Sequence, residues 1–306
     1  MPLLPLVFSP RYHIDLGLHV FPTLKYQLVH TRLRAEGLAD SMTVREPAPA
    51  GWDDLALVHT AAYVEKARAG AFSQGELAQL ELPWSAAIGE GFRLMCGGTL
   101  LAARLAAEAG IAVHLGGGFH HAFADHGEGF CLFNDVAVAV RVLQREGVAS
   151  KAAIVDLDVH HGNGTASIFA GDDRVFTLSM HHEQNYPAYK PPGSLDIGLD
   201  GGTGDDAYLH RLAGALPLAM ASRPDIVFYL AGADPYEADQ LGGLALTLDG
   251  LRRRDEMVVA ATRRASVPLV VVLAGGYARD VSDTVAIHMA TVREAVASVP
   301  VRGDAS

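Results

Sequence analysis

Five hydrophobic runs recur along the chain, and each ends in glycine or in a reactive side chain. They are rich in Val, Ile and Leu and lack polar alternation, which is typical of strands buried on both faces of a parallel sheet. The sequence therefore predicts strands at 111–115, 152–157, 175–180, 226–231 and 268–274.

Helical patterns fall between these runs. The clearest follows Asn134, a good N-cap, and stops at Gly147, a good C-cap. Others cover 98–109, 206–221 and 248–265. Alternating strands and helices predict a doubly wound α/β fold around a mostly parallel sheet.

No internal repeat, long linker or change of composition divides the chain, so we expect one domain over residues 1–306. The first 90 residues carry fewer strand signals, and we expect them to wrap the sheet and supply rim loops. Residues 1–8 are apolar but lack the basic segment of a signal peptide, which favours a first strand. The tail over residues 301–306 is expected to fray.

Composition narrows the class of protein. Half of the 306 residues are hydrophobic, which excludes a disordered chain, and 35 acidic against 24 basic residues argue against a nucleic-acid surface. Two distant cysteines, Cys96 and Cys131, exclude a disulfide scaffold and favour a reducing, cytoplasmic compartment. No apolar run approaches the roughly 18 residues of a membrane span.

Reactive side chains collect just after four of the predicted strands, where an open parallel sheet binds its ligands. Asp156, Asp158 and His160 are spaced by two, so an extended chain would place them on one face. Burying such groups without a partner is costly, and a divalent cation is the simplest partner. Asp234 follows another core strand. Two carboxylates and one imidazole with an open coordination position describe a catalytic site that suits Zn²⁺ and also Fe²⁺.

Two further groups belong to this pattern. His120 and His121 form a tandem pair after a glycine run, and a histidine can take a proton from water and return it to a leaving amine. Tyr277 follows two glycines at another strand end, and its phenol could stabilise an oxyanion.

Four segments together resemble the histone deacetylase family of metal-dependent amidohydrolases, which have the arginase–deacetylase fold. They are GGGFHHAFADHGEGFCLFND, IVDLDVHHGNGT, YLAGADPYEADQLGGLALT and LAGGYARD. The resemblance spans residues 110–280, extends weakly to LGLHVFP and VHTAAYV, and is strongest to the class IV branch and bacterial relatives. It implies a three-layer sandwich in which helices flank a central, mostly parallel sheet.

The resemblance also assigns roles to individual residues. It implies that Asp158, His160 and Asp234 bind a catalytic Zn²⁺, that His121 is the general base and acid, and that Tyr277 polarises the amide carbonyl and stabilises the oxyanion.

Other roles implied by the resemblance surround this centre. His120 would assist electrostatically, and Asp156 would orient its ring. Gly129 would supply a backbone acceptor for the substrate amide. The walls and mouth of a narrow acyl channel would be Phe130, Tyr186 and Leu241.

Similar proteins also bind monovalent cations, and K⁺ is the ion we expect here. A first site would use oxygens of Asp156, Asp158, His160, Ser179 and Met180. A second site would use Phe169, Asp172 and Val175.

Two features depart from the family pattern. Asn163 stands where some members have an aspartate bonded to the second histidine, and a neutral amide should leave the pKa of His121 lower. The acidic rim residue with which several members bind the substrate backbone is not evident between Glu81 and Ser85.

The sequence leaves several functions open. The first is removal of acetyl or longer acyl groups from lysine side chains of peptides or proteins, and the second is hydrolysis of acetylpolyamines or other small amides. An arginase-like ureohydrolase would need two metals and more acidic ligands. This chain lacks a second aspartate two residues after His160, because Gly162 stands there. An inactive binder of acylated ligands would have lost part of the machinery. The oligomeric state is left open too.

Overall fold

The computed structural model describes residues 4–299, and within them eight strands form one sheet in which every pair is parallel. The strands are β1 (Leu6–Val7), β2 (Val44–Arg45), β3 (Ile111–His114), β4 (Ala152–Asp156), β5 (Val175–His182), β6 (Leu195–Leu199), β7 (Ile226–Leu230) and β8 (Leu269–Val272). Their order across the sheet is β2-β1-β3-β8-β7-β4-β5-β6.

Helices cover the sheet. In the described residues they are α1 (Leu24–Ala35), α2 (Trp52–Leu55), α3 (Ala61–Ala69), α4 (Gln74–Leu80), α5 (Ala86–Ala109), α6 (Asp135–Glu146), α7 (Asn163–Ile168), α8 (Asp205–Ala221), α9 (Leu248–Ala265) and α10 (Val281–Ser298). The larger helices pack in two groups. In one group α5 packs against α6, and in the other α8, α9, α10 and α1 pack in succession. The arrangement confirms the predicted α/β sandwich.

Four neighbouring strands at the centre of the sheet position the site. In the register of β3, β8, β7 and β4, His114 pairs with Val272, Val272 with Leu230, and Leu230 with Asp156. These four strand ends are therefore level, although they are far apart in the chain. The segments that follow them carry the reactive side chains singled out from the sequence.

The predicted elements largely match the structure. The five predicted strands correspond to β3, β4, β5, β7 and β8, and the predicted helix at 248–265 is α9. Asn134 caps α6 by accepting from the Ala137 N–H at 3.0 Å, and Gly147 ends that helix at a φ of 71°. The helix predicted at 98–109 is only the second half of α5.

The N-terminal region enters the sheet as well as wrapping it. Strands β1 and β2 extend one edge, and α1 packs on α10. The first strand, predicted over residues 1–8, is observed at Leu6–Val7. Residues 1–3 and the predicted fraying tail at 301–306 lie outside the described residues.

Candidate active site

Strand β4 ends at Asp156, and the chain then turns over the sheet edge. The Asp158 N–H donates to Asp156 Oδ1 at 3.2 Å, and the His160 N–H donates to Asp158 Oδ1 at 3.0 Å. Such aspartate turns end an extended chain. The extended chain on which the prediction for Asp156, Asp158 and His160 depended therefore stops at Asp156. Asp156 contacts His120, whereas Asp158 and His160 converge with Asp234.

Three buried ligand atoms form a compact cluster, in which Asp158, His160 and Asp234 each offer one atom within 4.8 Å of the others. His160 Nδ1 lies 3.0 Å from Asp158 Oδ1 and 3.4 Å from Asp234 Oδ2. Backbone amides hold the remaining oxygens. Gly275 N donates to Asp158 Oδ2 at 2.9 Å, and Val159 N donates to Asp234 Oδ1 at 2.9 Å. One oxygen of each carboxylate is thereby directed into the cluster.

The cluster fits a divalent cation. Within residues 4–299, Asp234 Oδ2 is buried without a hydrogen-bond partner, which is costly unless an ion occupies that position. A Cβ on Gly275 would lie 2.0 Å from this oxygen, so the glycine leaves the cradle open. Burial and the neighbouring Asp158 raise the pKa of Asp234 to about 7. Burial lowers the pKa of His160, but Asp158 and Asp234 outweigh it and raise the value to about 10.

His120 and His121, in the segment after β3, belong to one hydrogen-bonded chain. His120 Nδ1 lies 2.7 Å from Asp156 Oδ2, the two Nε2 atoms lie 3.1 Å apart, and His121 Nδ1 lies 2.7 Å from Asn163 Oδ1. Carboxylate and amide oxygens only accept, so both Nδ1 atoms carry hydrogen. His120 Nε2–H then donates to the free lone pair of His121 Nε2.

The two imidazoles differ in charge. Burial lowers the pKa of His120, but the carboxylates of Asp156 and Asp158 outweigh it and raise the value to about 9. For His121, burial and the positive charges at His120 and His160 hold the pKa well below its usual range. His121 is therefore neutral and can accept a proton. The hydrogen bond with Asn163 acts in the opposite direction, raising the pKa, but burial and the two positive charges outweigh it.

A buried carboxylate that the sequence analysis did not identify holds the glycine-rich segment before His120. Asp135 accepts hydrogen bonds from Gly118 N at 3.0 Å and Phe119 N at 2.7 Å, and Thr99 Oγ1 donates to it at 2.5 Å. Burial raises the pKa of Asp135, against these three bonds. Because the segment leads directly into His120, Asp135 helps to position the backbone of the histidine pair.

Tyr277 lines the same pocket as the histidine pair. Burial and then the carboxylates of Asp158 and Asp234 raise the pKa of Tyr277 well above its usual value, so its hydroxyl stays protonated and can donate. The fully buried Lys25 supports this segment, because its Nζ donates to the Ala274 carbonyl at 2.8 Å and lies 5.5 Å from the centre of the Tyr277 ring. Burial lowers the pKa of Lys25 to about 8.

A pocket leads from the surface to the cluster, and its walls include Phe130, Tyr186 and Leu241. The Tyr186 ring stands edge-on to His121 at 4.9 Å between centroids. Gly129, at a φ of 52°, fits between them, since a Cβ there would lie 2.8 Å from His121 Cδ2 and 2.9 Å from Tyr186 Cε1. Asn185 links the walls by donating from Nδ2 to the Leu241 carbonyl at 2.7 Å.

Several lining residues were not found from the sequence. Tyr26, Glu81 and Asn185 line the same pocket and belong to no motif quoted above, and Phe21 lies in the LGLHVFP stretch but was given no role. Glu81, the residue that ends α4, lines this pocket, so the stretch between Glu81 and Ser85 does bring an acidic residue to it. Only the topology could have revealed these residues, since they reach the pocket through loops and α1.

The proposed cation-binding residues lie in two places. Ser179 pairs with Asp156 between β5 and β4, and Met180 follows it, so the first group gathers where β4 ends beside the middle of β5. In the second group, Asp172 N donates to the Phe169 carbonyl at 3.0 Å and Val175 N donates to the Asp172 carbonyl at 3.1 Å. The Asp172 carboxylate is engaged by two arginines, so backbone oxygens would have to serve an ion there.

Comparison with known proteins identifies the family. A sequence profile described as histone deacetylase domain matches residues 19–292. The chain belongs to the histone deacetylase family. An uncharacterized protein of Picosynechococcus sp. is 42% identical over 286 residues, which cover 93% of this chain and 95% of that protein. Histone deacetylase 2 of Arabidopsis thaliana is 33% identical over 304 residues, which cover 92% of this chain and 77% of that protein.

A solved structure gives the same result for the fold. The crystal structure of an HDA15 HD domain superposes with a TM-score of 0.79 at 25% identity, covering 99% of this chain and 91% of that one. The resemblance inferred from the motifs and the arginase–deacetylase fold are thereby confirmed. The chain is a histone deacetylase-family hydrolase. In residues 4–299 no helix has the length and apolar character needed to cross a bilayer.

Proposed function

We propose that this family member is a metal-dependent amidohydrolase that removes acetyl or longer acyl groups from lysine side chains or related amines. The observation that carries the proposal is the Asp158, His160 and Asp234 cluster, with an unpartnered buried oxygen in the described structure, beside a neutral histidine at the base of a partly apolar pocket. A cation held there, Zn²⁺ or Fe²⁺, would act as a Lewis acid on the acyl carbonyl and activate water.

The protein's own groups divide the remaining chemistry. His121 Nε2 is the proton acceptor, because its Nδ1–H is held by Asn163. His120, kept charged by Asp156, stabilises negative charge in the transition state. His121 then protonates the departing amine. The Tyr277 hydroxyl donates to the oxyanion that forms from the carbonyl.

The pocket walls select an acyl amide attached to an alkyl chain. Phe130 and Tyr186 offer apolar faces against which the alkyl part of a lysine side chain can be buried away from water, while the base of the pocket is polar. Glu81 lines the same pocket, and a carboxylate there favours a cationic partner. Acetylpolyamines therefore stand beside acyl-lysine peptides as candidate substrates.

The competing functions fit less well. Among the described residues, one cluster of three or more ligands was found, whereas a ureohydrolase needs two adjacent metals. The metal ligands, the histidine pair and the tyrosine are all present, which an inactive acyl binder would not require. We also propose that residues 1–306 form one catalytic domain and that K⁺ occupies the two cation sites. Cys96 and Cys131 are free and buried, which supports our proposal that the protein works in a reducing compartment, the cytoplasm.

A substrate panel at fixed metal content tests the proposal. The purified chain is assayed for amine release from acetyl-, octanoyl- and myristoyl-lysine peptides and from acetylpolyamines, before and after chelation. We expect hydrolysis that chelation abolishes and that about one equivalent of Zn²⁺ or Fe²⁺ restores. Inactivity on every amide at full metal content would refute the proposal. Urea release with about two Mn²⁺ per chain would favour the ureohydrolase instead.

A further inference from the structure

The hydrogen-bonded chain through the two histidines continues beyond Asn163 to a second carboxylate. Asn163 Nδ2 donates to Glu128 Oε1 at 2.7 Å, the same length as the hydrogen bond that Asn163 Oδ1 accepts from His121 Nδ1. The chain therefore runs from Asp156 through His120, His121 and Asn163 to Glu128. It has a carboxylate at each end, one in direct contact with an imidazole and the other separated from its imidazole by an amide.

The Glu128 carboxylate determines which way the Asn163 amide points. A carboxylate can only accept, so the NH₂ group must face Glu128 and the carbonyl oxygen must face His121. In the opposite orientation two oxygen atoms would meet at about this distance without a hydrogen, which is strongly unfavourable. The amide oxygen then requires a hydrogen on His121 Nδ1, which leaves Nε2 as the free base.

Glu128 is held in place for this contact. Its side chain is 17% exposed, and its N–H and carbonyl bond to Cys131 in a tight turn. The next residue, Gly129, donates its N–H to the Gln79 carbonyl at 3.3 Å. On the solvent side, Gln79 Nε2 lies 3.3 Å from Glu128 Oε2, so only one carboxylate oxygen is used by Asn163.

We propose that Glu128 is a positioning residue that acts through Asn163 to fix the tautomer of His121. The proposal rests on the proposed function for its catalytic consequence, but its structural content does not depend on which substrate is hydrolysed. It gives a physical reason for an amide beside the proton acceptor. The amide transmits the orienting effect of the Glu128 carboxylate to His121 through two hydrogen bonds.

An exchange of the two groups tests this proposal. In Asn163→Asp, two carboxylates face each other at about 2.7 Å, so kcat should fall about 10- to 100-fold. In Glu128→Gln, the new amide can still accept from Asn163 but lacks charge, so kcat should fall about fivefold. In the double variant, the new amide can donate to the new carboxylate, which accepts from His121. The double variant should recover kcat to within about threefold of the wild type.

Gln79→Ala is the matched control, because it removes one contact of Glu128 Oε2, which His126 Nε2 also approaches at 3.6 Å, and leaves Asn163 untouched. Its kcat should equal that of the wild type. Losses that multiply in the double variant, or a Glu128→Gln kcat equal to that of the wild type, would overturn the proposal.

Thermal unfolding separates this result from failure of the proposed function. Asn163→Asp should lower the Tm, and adding Glu128→Gln should restore it, whether or not any amide is hydrolysed. If the wild type is inactive on every substrate but the Tm values show this rescue, the positioning role of Glu128 stands and the proposed function fails. If the wild type is active but neither kcat nor Tm is rescued, the positioning role is wrong and the proposed function stands.

Discussion

His120 and His121 are adjacent in the chain and both buried, yet the fold gives them opposite surroundings. His120 contacts the Asp156 carboxylate directly and has a pKa of about 9, whereas His121 contacts an amide and has a pKa well below its usual range. The comparison teaches that burial alone does not decide the charge of an imidazole. The partner on Nδ1 and the sign of the nearest charges decide it.

The largest expected effect separates the two histidines directly. His121→Asn removes the proton acceptor and should lower kcat about 10³-fold, while His120→Asn should cost less, about 10²-fold. Metal content, measured by atomic emission, should match the wild type in both variants. Equal losses would show that the pair acts as one unit, and a larger loss for His120→Asn would reverse the assignment.

Tyr277→Phe provides a reference that leaves both histidines intact. Loss of the hydroxyl should lower kcat about 10²-fold, because one donor to the oxyanion is removed. KM and metal content should change little, and the pH profile should keep its shape. Unchanged turnover would remove the oxyanion role of Tyr277.

Asp156→Asn would make the two histidines alike, since each would then contact an amide. The carboxylate that raises the pKa of His120 is lost, so His120 should release its proton at a lower pH. We expect kcat to fall about tenfold and the alkaline limb of the kcat/KM profile to move below pH 9. A profile that keeps its alkaline limb would show that His120 does not titrate there.

A third histidine shows what burial does without a charged partner. His114 lies between Thr99 Oγ1 at 2.9 Å and the Tyr12 hydroxyl at 2.8 Å, and burial lowers its pKa to about 3. Below pH 6.5 the unfolded chain binds a proton here that the folded protein refuses. The free energy of unfolding should therefore decrease as the pH falls from 6.5 towards 3, by at most about 1.4 kcal/mol per pH unit for this group.

Denaturant titrations between pH 7 and pH 4 measure that decrease. His114→Gln should make it shallower by up to one proton's contribution, with His210→Gln, at an exposed position on α8, as the control. An identical slope in all three proteins would show that His114 contributes nothing to the acid sensitivity.

Much of the fold and the centre of the site could be predicted from the sequence. The runs that became β3, β4, β7 and β8 are apolar apart from His114 in β3 and Asp156 at the end of β4, and parallel strands bring whatever follows them to one edge. The convergence of Asp158, His160 and Asp234 follows from that rule together with the family resemblance.

The parts that could not be predicted depend on tertiary contacts. The first half of α5 contains Gly89, Gly91 and Gly97, which weaken a helical pattern, and packing overrides that weakness. The alternation argument does not reach Asp158 because aspartate turns end β4 two residues earlier. Glu128 and Lys25 reach their partners across 35 and 249 residues of sequence, and no local pattern encodes such contacts.

Because the four central strands end at the same level, the active site can form only after distant parts of the chain have paired during folding. Strand β3 must pair with β8, more than 150 residues later in the chain, before the groups from both can meet. No contiguous fragment short of that span can assemble the reacting groups. In refolding experiments, hydrolysis should return only after this long-range pairing has formed and should lag behind helix formation, so enzyme activity would report the assembly of the central strands.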